Sequence, residues 1–218
     1  MKAFIIFRDR VTYARRCLDG LRSAGLDVHV VDHGSTWPAA LVWLAELEES
    51  GCPVLRRGEN AYPWQLWDWD KFREILWGDT EPYVVTDPDV VPSEGCPGDW
   101  VERLADVRSR YRAVKAGLGL RLDRLPPSRR QEVISAEQGF WVDDPEPDVY
   151  RANVDTTLAL YAPYTEYPLF SLGPSMRLGH PYVADHLAWY EEGDLSSELR
   201  HYYAHADAGH GVPRFTWD

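Results

Sequence analysis

Thr86-Asp87-Pro88-Asp89 holds the chain's clearest chemistry: two carboxylates one residue apart, on a backbone stiffened by Pro88, directly after the apolar run Tyr83-Val84-Val85. Acids so placed suit a hard, oxygen-preferring cation that fills its remaining positions with phosphate oxygens and water, which points to Mg or Mn. The same pattern also caps helices and decorates turns, so its place straight after a strand is what favours a metal. Asp32-His33-Gly34-Ser35 follows the β-branched run Asp27 to Val31 in the same way. Asp32 can accept an N–H from a uracil or guanine edge, and Gly34 lets the backbone turn close to a ligand; an ordinary turn acid is the alternative. Arg8, after the run Phe4 to Phe7, can flank a base or a phosphate, or simply pair with Asp9.

Five of the seven histidines lie from Gly179 onward. His201 and His205 have helical i, i+4 spacing, but no Glu accompanies them in the His-Glu-x-x-His manner, which argues against a zinc protease and leaves a surface pair. Trp67 and Trp141 are the aromatics considered for stacking on a sugar, against the alternative of core packing. Glu137, beside Gln138-Gly139-Phe140-Trp141, is a carboxylate for proton transfer or a solvated helix residue.

The elements that must position these residues alternate between strand and helix. Strands are expected at Phe4 to Phe7, Asp27 to Val31, Pro53 to Leu55 and Tyr83 to Thr86. Further strand candidates are Ala113 to Leu122 and Asn153 to Tyr161. Helices are expected from Tyr13 to a stop at Gly25, from about Pro38 to Glu49, from Trp64 to Trp77 and from Trp100 to Tyr111. Asp123 to Val149, rich in proline and charge, reads as loop with one helix around Ser128 to Phe140. This alternation predicts an α/β domain with a mostly parallel sheet, whose ligands bind beyond the carboxyl ends of the strands. Gly117-Leu118-Gly119, within a strand, marks a close backbone approach. No Rossmann or Walker glycine loop follows either early strand, so dinucleotide and ATP-hydrolysis readings lose support.

The 218 residues suit one domain, with residues 1–112 as a nucleotide-binding half and 113–218 as an acceptor-binding half. A net charge of −12, from 35 acidic against 23 basic residues, disfavours nucleic acid and anionic membranes as partners. No apolar run approaches the roughly 18–20 residues of a membrane span. The apolar stretch of Met1 to Arg8 is too short for a signal peptide and reads as a buried strand. Three widely spaced cysteines, Cys17, Cys52 and Cys96, form neither a metal pattern nor a disulfide scaffold, so a soluble protein of a reducing cytoplasm is expected.

In order along the chain, Phe7-Arg8-Asp9-Arg10, Val30-Val31-Asp32-His33-Gly34-Ser35, Thr86-Asp87-Pro88-Asp89-Val90-Val91-Pro92, Val154-Asp155-Thr156-Thr157 and Arg177-Leu178-Gly179-His180-Pro181-Tyr182 through Asp185-His186-Leu187-Ala188-Trp189-Tyr190 together resemble the GT-A glycosyltransferases, particularly the family 2-like bacterial enzymes. The resemblance implies a single GT-A domain and inverting transfer of a sugar from a UDP- or GDP-linked donor to a glycan or small-molecule hydroxyl. It assigns Asp89 to the metal, Asp87 to the ribose or a metal-bound water, Asp32 to the base, and the late His186 to the metal as a further ligand. Asp155 matches the acid of the family's Asp-Thr-Thr element and becomes the general base, with Glu137 as competitor. The family's second acid after Asp32 is here His33. A sugar-1-phosphate nucleotidyltransferase is the first rival, weakened by the lack of a glycine-rich basic loop between Phe7 and Arg16; a non-catalytic carbohydrate-binding or scaffold protein is the second.

Overall fold

A computed structural model describes residues 1–154, 158–165 and 174–205. The chain runs β1 (Lys2–Phe7), α1 (Val11–Ser23), β2 (Asp27–Asp32), α2 (Pro38–Glu49), β3 (Val54–Arg56), a 3₁₀ turn (Pro63–Leu66) and α3 (Asp70–Trp77). Next come β4 (Tyr83–Thr86), β5 (Val90–Pro92), α4 (Trp100–Arg110), β6 (Lys115–Leu120), α5 (Pro127–Glu137), β7 (Val149–Arg151), β8 (Ala159–Tyr161), β9 (Ser175–His186) and α6 (Ser197–His205).

These strands form one sheet in the order β3-β2-β1-β4-β8-β6-β9-β5, with β7 also paired to β9. The first four positions are parallel, while β8 runs antiparallel to both β4 and β6. Parallel strands are covered on both faces and therefore read as continuous apolar runs. In β1, Ala3, Ile5 and Phe7 join the core beneath α1, α2 and α4, whereas Phe4 and Ile6 join a second core on the opposite face with Phe72, Leu76 and Tyr83. Helix α1 buries Val11, Ala14, Cys17, Leu18 and Leu21 at helical spacing, and the chain turns out of it at Gly25 with φ +74°.

Trp64 to Trp77 is not one helix. Residues five apart on an α-helix diverge by roughly 140° around its axis, yet Trp67 and Phe72 both belong to the core on one face of the sheet. The break between the 3₁₀ turn and α3 allows this, and the Trp67 indole N–H donates to the Tyr83 hydroxyl at 2.8 Å. Trp67 is 2% exposed, so it serves the core and presents no face to a sugar. The stretch expected as a strand from Asn153 to Tyr161 contributes only β8. Gly117 and Gly119 do mark close approaches: a Cβ would stand 2.4 Å from Val154 Cγ1 and 2.3 Å from the Trp141 ring, respectively.

Strand β9 places the site's late residues. It pairs parallel with β6, shifts register between Leu118 and Gly119, and ends antiparallel to β5 with Val90 opposite His186. Positions nearly a hundred residues apart in sequence thus become neighbours at the sheet edge.

Candidate functional site

The carboxyl ends of β1, β2 and β4 lie side by side, as the parallel registers require. Beyond β1, Asp9 is fully buried with φ +59°, a left-handed conformation that a short polar side chain tolerates best. Its Oδ1 accepts the Thr36 and Trp37 N–H groups, both at 2.7 Å, and its own N–H donates to Ser35 Oγ at 3.0 Å. Asp9 therefore ties the first strand's exit loop to the second's.

Asp32 is 4% exposed, and its Oδ1 accepts the Ser35 N–H at 2.9 Å. This bond is that of a turn acid, one of the two readings open to Asp32 from sequence. Gly34, at φ +74°, is required by the protein's own packing, because a Cβ there would lie 2.7 Å from the Glu59 carbonyl carbon and 2.9 Å from the Asn60 nitrogen. His33 is buried, with Nδ1 3.0 Å from the Ala61 carbonyl oxygen.

Asp87 is half-buried and lines a small cavity of about 70 Å³ with Arg8, Arg10, His33, Asn60 and Tyr202. A larger hollow of about 340 Å³ lies between α1 and the start of α4, lined by Arg16, Cys96 and Trp100 and by Val91 and Pro92 of β5. Asp89 is 1% exposed and its carboxylate is already engaged: Arg10 Nη1 lies 2.6 Å from Oδ2 and Nη2 3.5 Å from Oδ1. The two carboxylates were expected to face a cation together; Asp89 instead faces Arg10. Burial of a carboxylate without a positive partner is costly, and Arg10 supplies that partner. Burial alone would raise the Asp89 pKa, but Arg10 and His186 outweigh it and hold the carboxyl below its usual range. Burial likewise works against the Arg10 charge, and Asp89, Tyr202 and Asp87 more than reverse that effect.

His186 Nδ1 stands 3.7 Å from Asp89 Oδ2, and this nitrogen is buried without a hydrogen-bond partner among the described residues. Burial lowers the His186 pKa, favouring the neutral imidazole that binds metals. The ring stacks on Trp189 at 4.7 Å, and Leu187 N–H donates to the Asp89 carbonyl at 2.7 Å, so strand pairing and packing both fix the residue. One residue earlier, Asp185 takes a two-point contact from Arg121, 2.8 Å from Nε and 2.9 Å from Nη2, which anchors this end of β9.

A carboxylate and an unpartnered imidazole nitrogen side by side match the donor chemistry of Mn²⁺, with Mg²⁺ less suited to nitrogen. Among the described residues no group of three or more His, Cys, Asp or Glu side chains converges on one point. Asp89 and His186 are the pair that meets here, and the Asp89 carboxylate is held by Arg10.

Helix α6 covers this edge. Glu198 accepts from the Thr12 N–H at 3.2 Å, His201 meets Thr36 Oγ1 at 2.9 Å, and the Tyr202 ring lies 4.7 Å from the Arg10 guanidinium carbon. Arg8 donates to the His205 carbonyl oxygen at 2.5 Å, so it secures α6 as well as lining the cavity. His201, expected at the surface, is instead part of this contact.

In the second half, Glu137 forms a buried ion pair with Arg177, whose guanidinium lies 4.6 Å from the Phe140 ring centre and 5.5 Å from that of Trp141. This is a packed charge pair and leaves no solvated carboxylate for a base. Trp141 is half-buried against Gly119 and Tyr150. Asp155 lies outside the described residues, as does His210. Sequence reasoning passed over Arg10, Asp9 and Tyr202; the available signal was Arg8-Asp9-Arg10 directly after an apolar strand, a concentration of charge in a turn that faces Asp87 and Asp89.

No family model matches the chain, and no curated protein is similar to it in sequence. Its fold is that of solved GT-A glycosyltransferases. A crystal structure of GalNAc-T7 with UDP, GalNAc and Mn²⁺ superposes with a TM-score of 0.55 at 12% identity, over 90% of this chain and 45% of that one. S. aureus TarS superposes with a TM-score of 0.51 at 14% identity, over 85% of this chain and 36% of that one. The chain thus spans less than half the length of these structures. No helix among the described residues is long and apolar enough to cross a membrane.

Proposed function

We propose that this chain is an inverting glycosyltransferase that moves a sugar from a UDP- or GDP-linked donor to the hydroxyl of a glycan or small-molecule acceptor. The observation that carries the reading is the meeting of Asp89 and His186 beside Arg10, which bonds Asp89 and also lines a cavity with Asp87, in a sheet of this fold. Mn or Mg would be held by Asp89 and His186 with Asp87 alongside. When bound, such an ion supplies charge to offset that building on the departing diphosphate.

The chain's own residues do the rest. Asp87 and the guanidinium of Arg10 face the space where a diphosphate would lie, and Trp189 and the strand pairing keep His186 in place. Asn60 and His33 also line the cavity and are the residues proposed to meet a nucleobase. Asp155 is assigned as the base that draws the proton from the acceptor hydroxyl. Trp141 is left as the aromatic available to an acceptor sugar, being the half-buried one of the two.

The test is release of free nucleoside diphosphate from UDP- and GDP-sugars with Mn, with Mg and with EDTA. Metal-supported release that disappears in Asp89→Ala is the expected result. Pyrophosphate release would identify a nucleotidyltransferase, and no release from any donor a binding or scaffold protein. Full turnover and unchanged metal dependence in Asp89→Ala would end the proposal.

A further inference from the structure

We propose that Arg10 is a donor-binding residue parked on Asp89: it neutralises the acid while the site is empty, and moves onto the diphosphate when a divalent cation takes its place. The inference rests on the glycosyl-transfer reading above and assigns a role to a residue outside the expected metal and nucleotide set.

The first support is exclusion. Arg10 Nη1 at 2.6 Å occupies the approach to the same Asp89 oxygen that faces His186 Nδ1. A divalent ion bound there and an arginine held at that distance would be like charges in contact, in a site largely removed from water. One must leave when the other arrives.

The second support is that Arg10 has somewhere to go. Its side chain is not sealed in: it is 15% exposed and forms part of the cavity wall with Asp87. Its Nε is buried without a hydrogen-bond partner among the described residues. A guanidinium carries five donors in a fork that fits phosphate oxygens in pairs, so a diphosphate entering the cavity offers more acceptors than the one carboxylate it replaces. The Tyr202 ring, 4.7 Å away, is a flat face along which the guanidinium can turn without losing its contact.

The consequence is coupling. Nucleotide removes the competitor from Asp89, so it should tighten metal binding, and metal should tighten nucleotide binding by the same factor. Without Arg10, metal should bind the empty site unaided, while nucleotide loses a contact.

The experiment measures Mn²⁺ binding by electron paramagnetic resonance of the free ion, with and without UDP and GDP, in wild type, Arg10→Met, Arg10→Lys and Arg10→Met/Asp89→Asn; thermal unfolding checks that each variant is folded. Expected are Mn²⁺ binding without nucleotide that is about tenfold or more tighter in Arg10→Met than in wild type, a value near wild type for Arg10→Lys, and loss of the gain in the double variant. Nucleotide affinity measured without metal should fall in Arg10→Met. Equal Mn²⁺ affinity in wild type and Arg10→Met, with nucleotide-dependent Mn²⁺ binding in both, would overturn the parking role and leave the metal-assisted reading standing. Absence of Mn²⁺ binding in every protein and condition would overturn both. A gain that survives Asp89→Asn would place the ion elsewhere and also overturn the proposal.

Discussion

Glu137→Ala should cost stability before it costs chemistry. The Glu137 side chain is 9% exposed and its partner Arg177 2% exposed, and the guanidinium lies against Phe140 and Trp141. Removing one member of such a pair leaves an uncompensated buried charge, a loss of about 3–5 kcal/mol. In a chain of 218 residues each kcal/mol moves the unfolding midpoint by about 2–4 °C, so a fall of roughly 6–20 °C is expected. Glu137→Leu/Arg177→Met removes both charges, and the Met thioether retains contact with the two rings. Its midpoint should recover most of the loss, since apolar replacement of a whole buried pair is often neutral or stabilising. Thermal and urea unfolding of the two variants, beside turnover at a temperature where both are folded, decides the matter. An unchanged midpoint in Glu137→Ala with turnover reduced by about 100-fold or more, the scale of a lost general base, would refute the structural role and make Glu137 the base.

Gly34→Ala forces a Cβ to within 2.7 Å of the Glu59 backbone in a left-handed conformation; about 1–3 kcal/mol of destabilisation is expected from overpacking alone, measured by urea unfolding, with nucleotide affinity reduced because the displaced Asn60 lines the cavity. Trp67→Phe deletes the hydrogen bond to the Tyr83 hydroxyl and should cost about 1–3 kcal/mol while acceptor KM stays at the wild-type value; a raised KM without loss of stability would restore Trp67 to the acceptor site.

Most of the first half of the fold was legible because its elements are local; the stretch Trp64 to Trp77, which breaks into a 3₁₀ turn and α3, and the short β5 were not. A buried parallel strand is an apolar run, and α1 and α2 announce themselves by spacing and by Gly25 and Pro38. The second half depends on pairings that no local pattern encodes. Strand β9 is twelve residues long, shifts register against β6, and serves β7 and β5 at its two ends. Its sequence, Ser175-Met176-Arg177-Leu178-Gly179-His180-Pro181-Tyr182, shows neither clean alternation nor a continuous apolar run. The acids were legible as acids, but their states were not: Asp32 and Asp9 spend oxygens on backbone N–H groups, and Asp89 spends both of its on Arg10. Composition can say that a carboxylate stands after a strand, whereas its partner is set by loops that meet only in the folded chain.

A chain of net charge −12 would have to receive the proposed nucleoside diphosphate against its overall field. Long-range repulsion is screened over about 8 Å at physiological ionic strength, so distant surface acids contribute little inside a cavity, and the balance is set by what lines it. Here Arg8 and Arg10 both line the cavity that Asp87 also lines, and both come from the single turn leaving β1. With Arg10 committed to Asp89, that edge is close to neutral and attracts no cation strongly; a nucleoside diphosphate arriving together with a metal ion brings charges that match the arginine and the carboxylate separately. The net charge of the whole chain disfavours extended anionic surfaces as partners and does not weigh against a small, doubly bridged anion at this turn. Substituting surface acids remote from the cavity should therefore leave nucleotide affinity at physiological salt nearly unchanged, while removal of Arg10 should not.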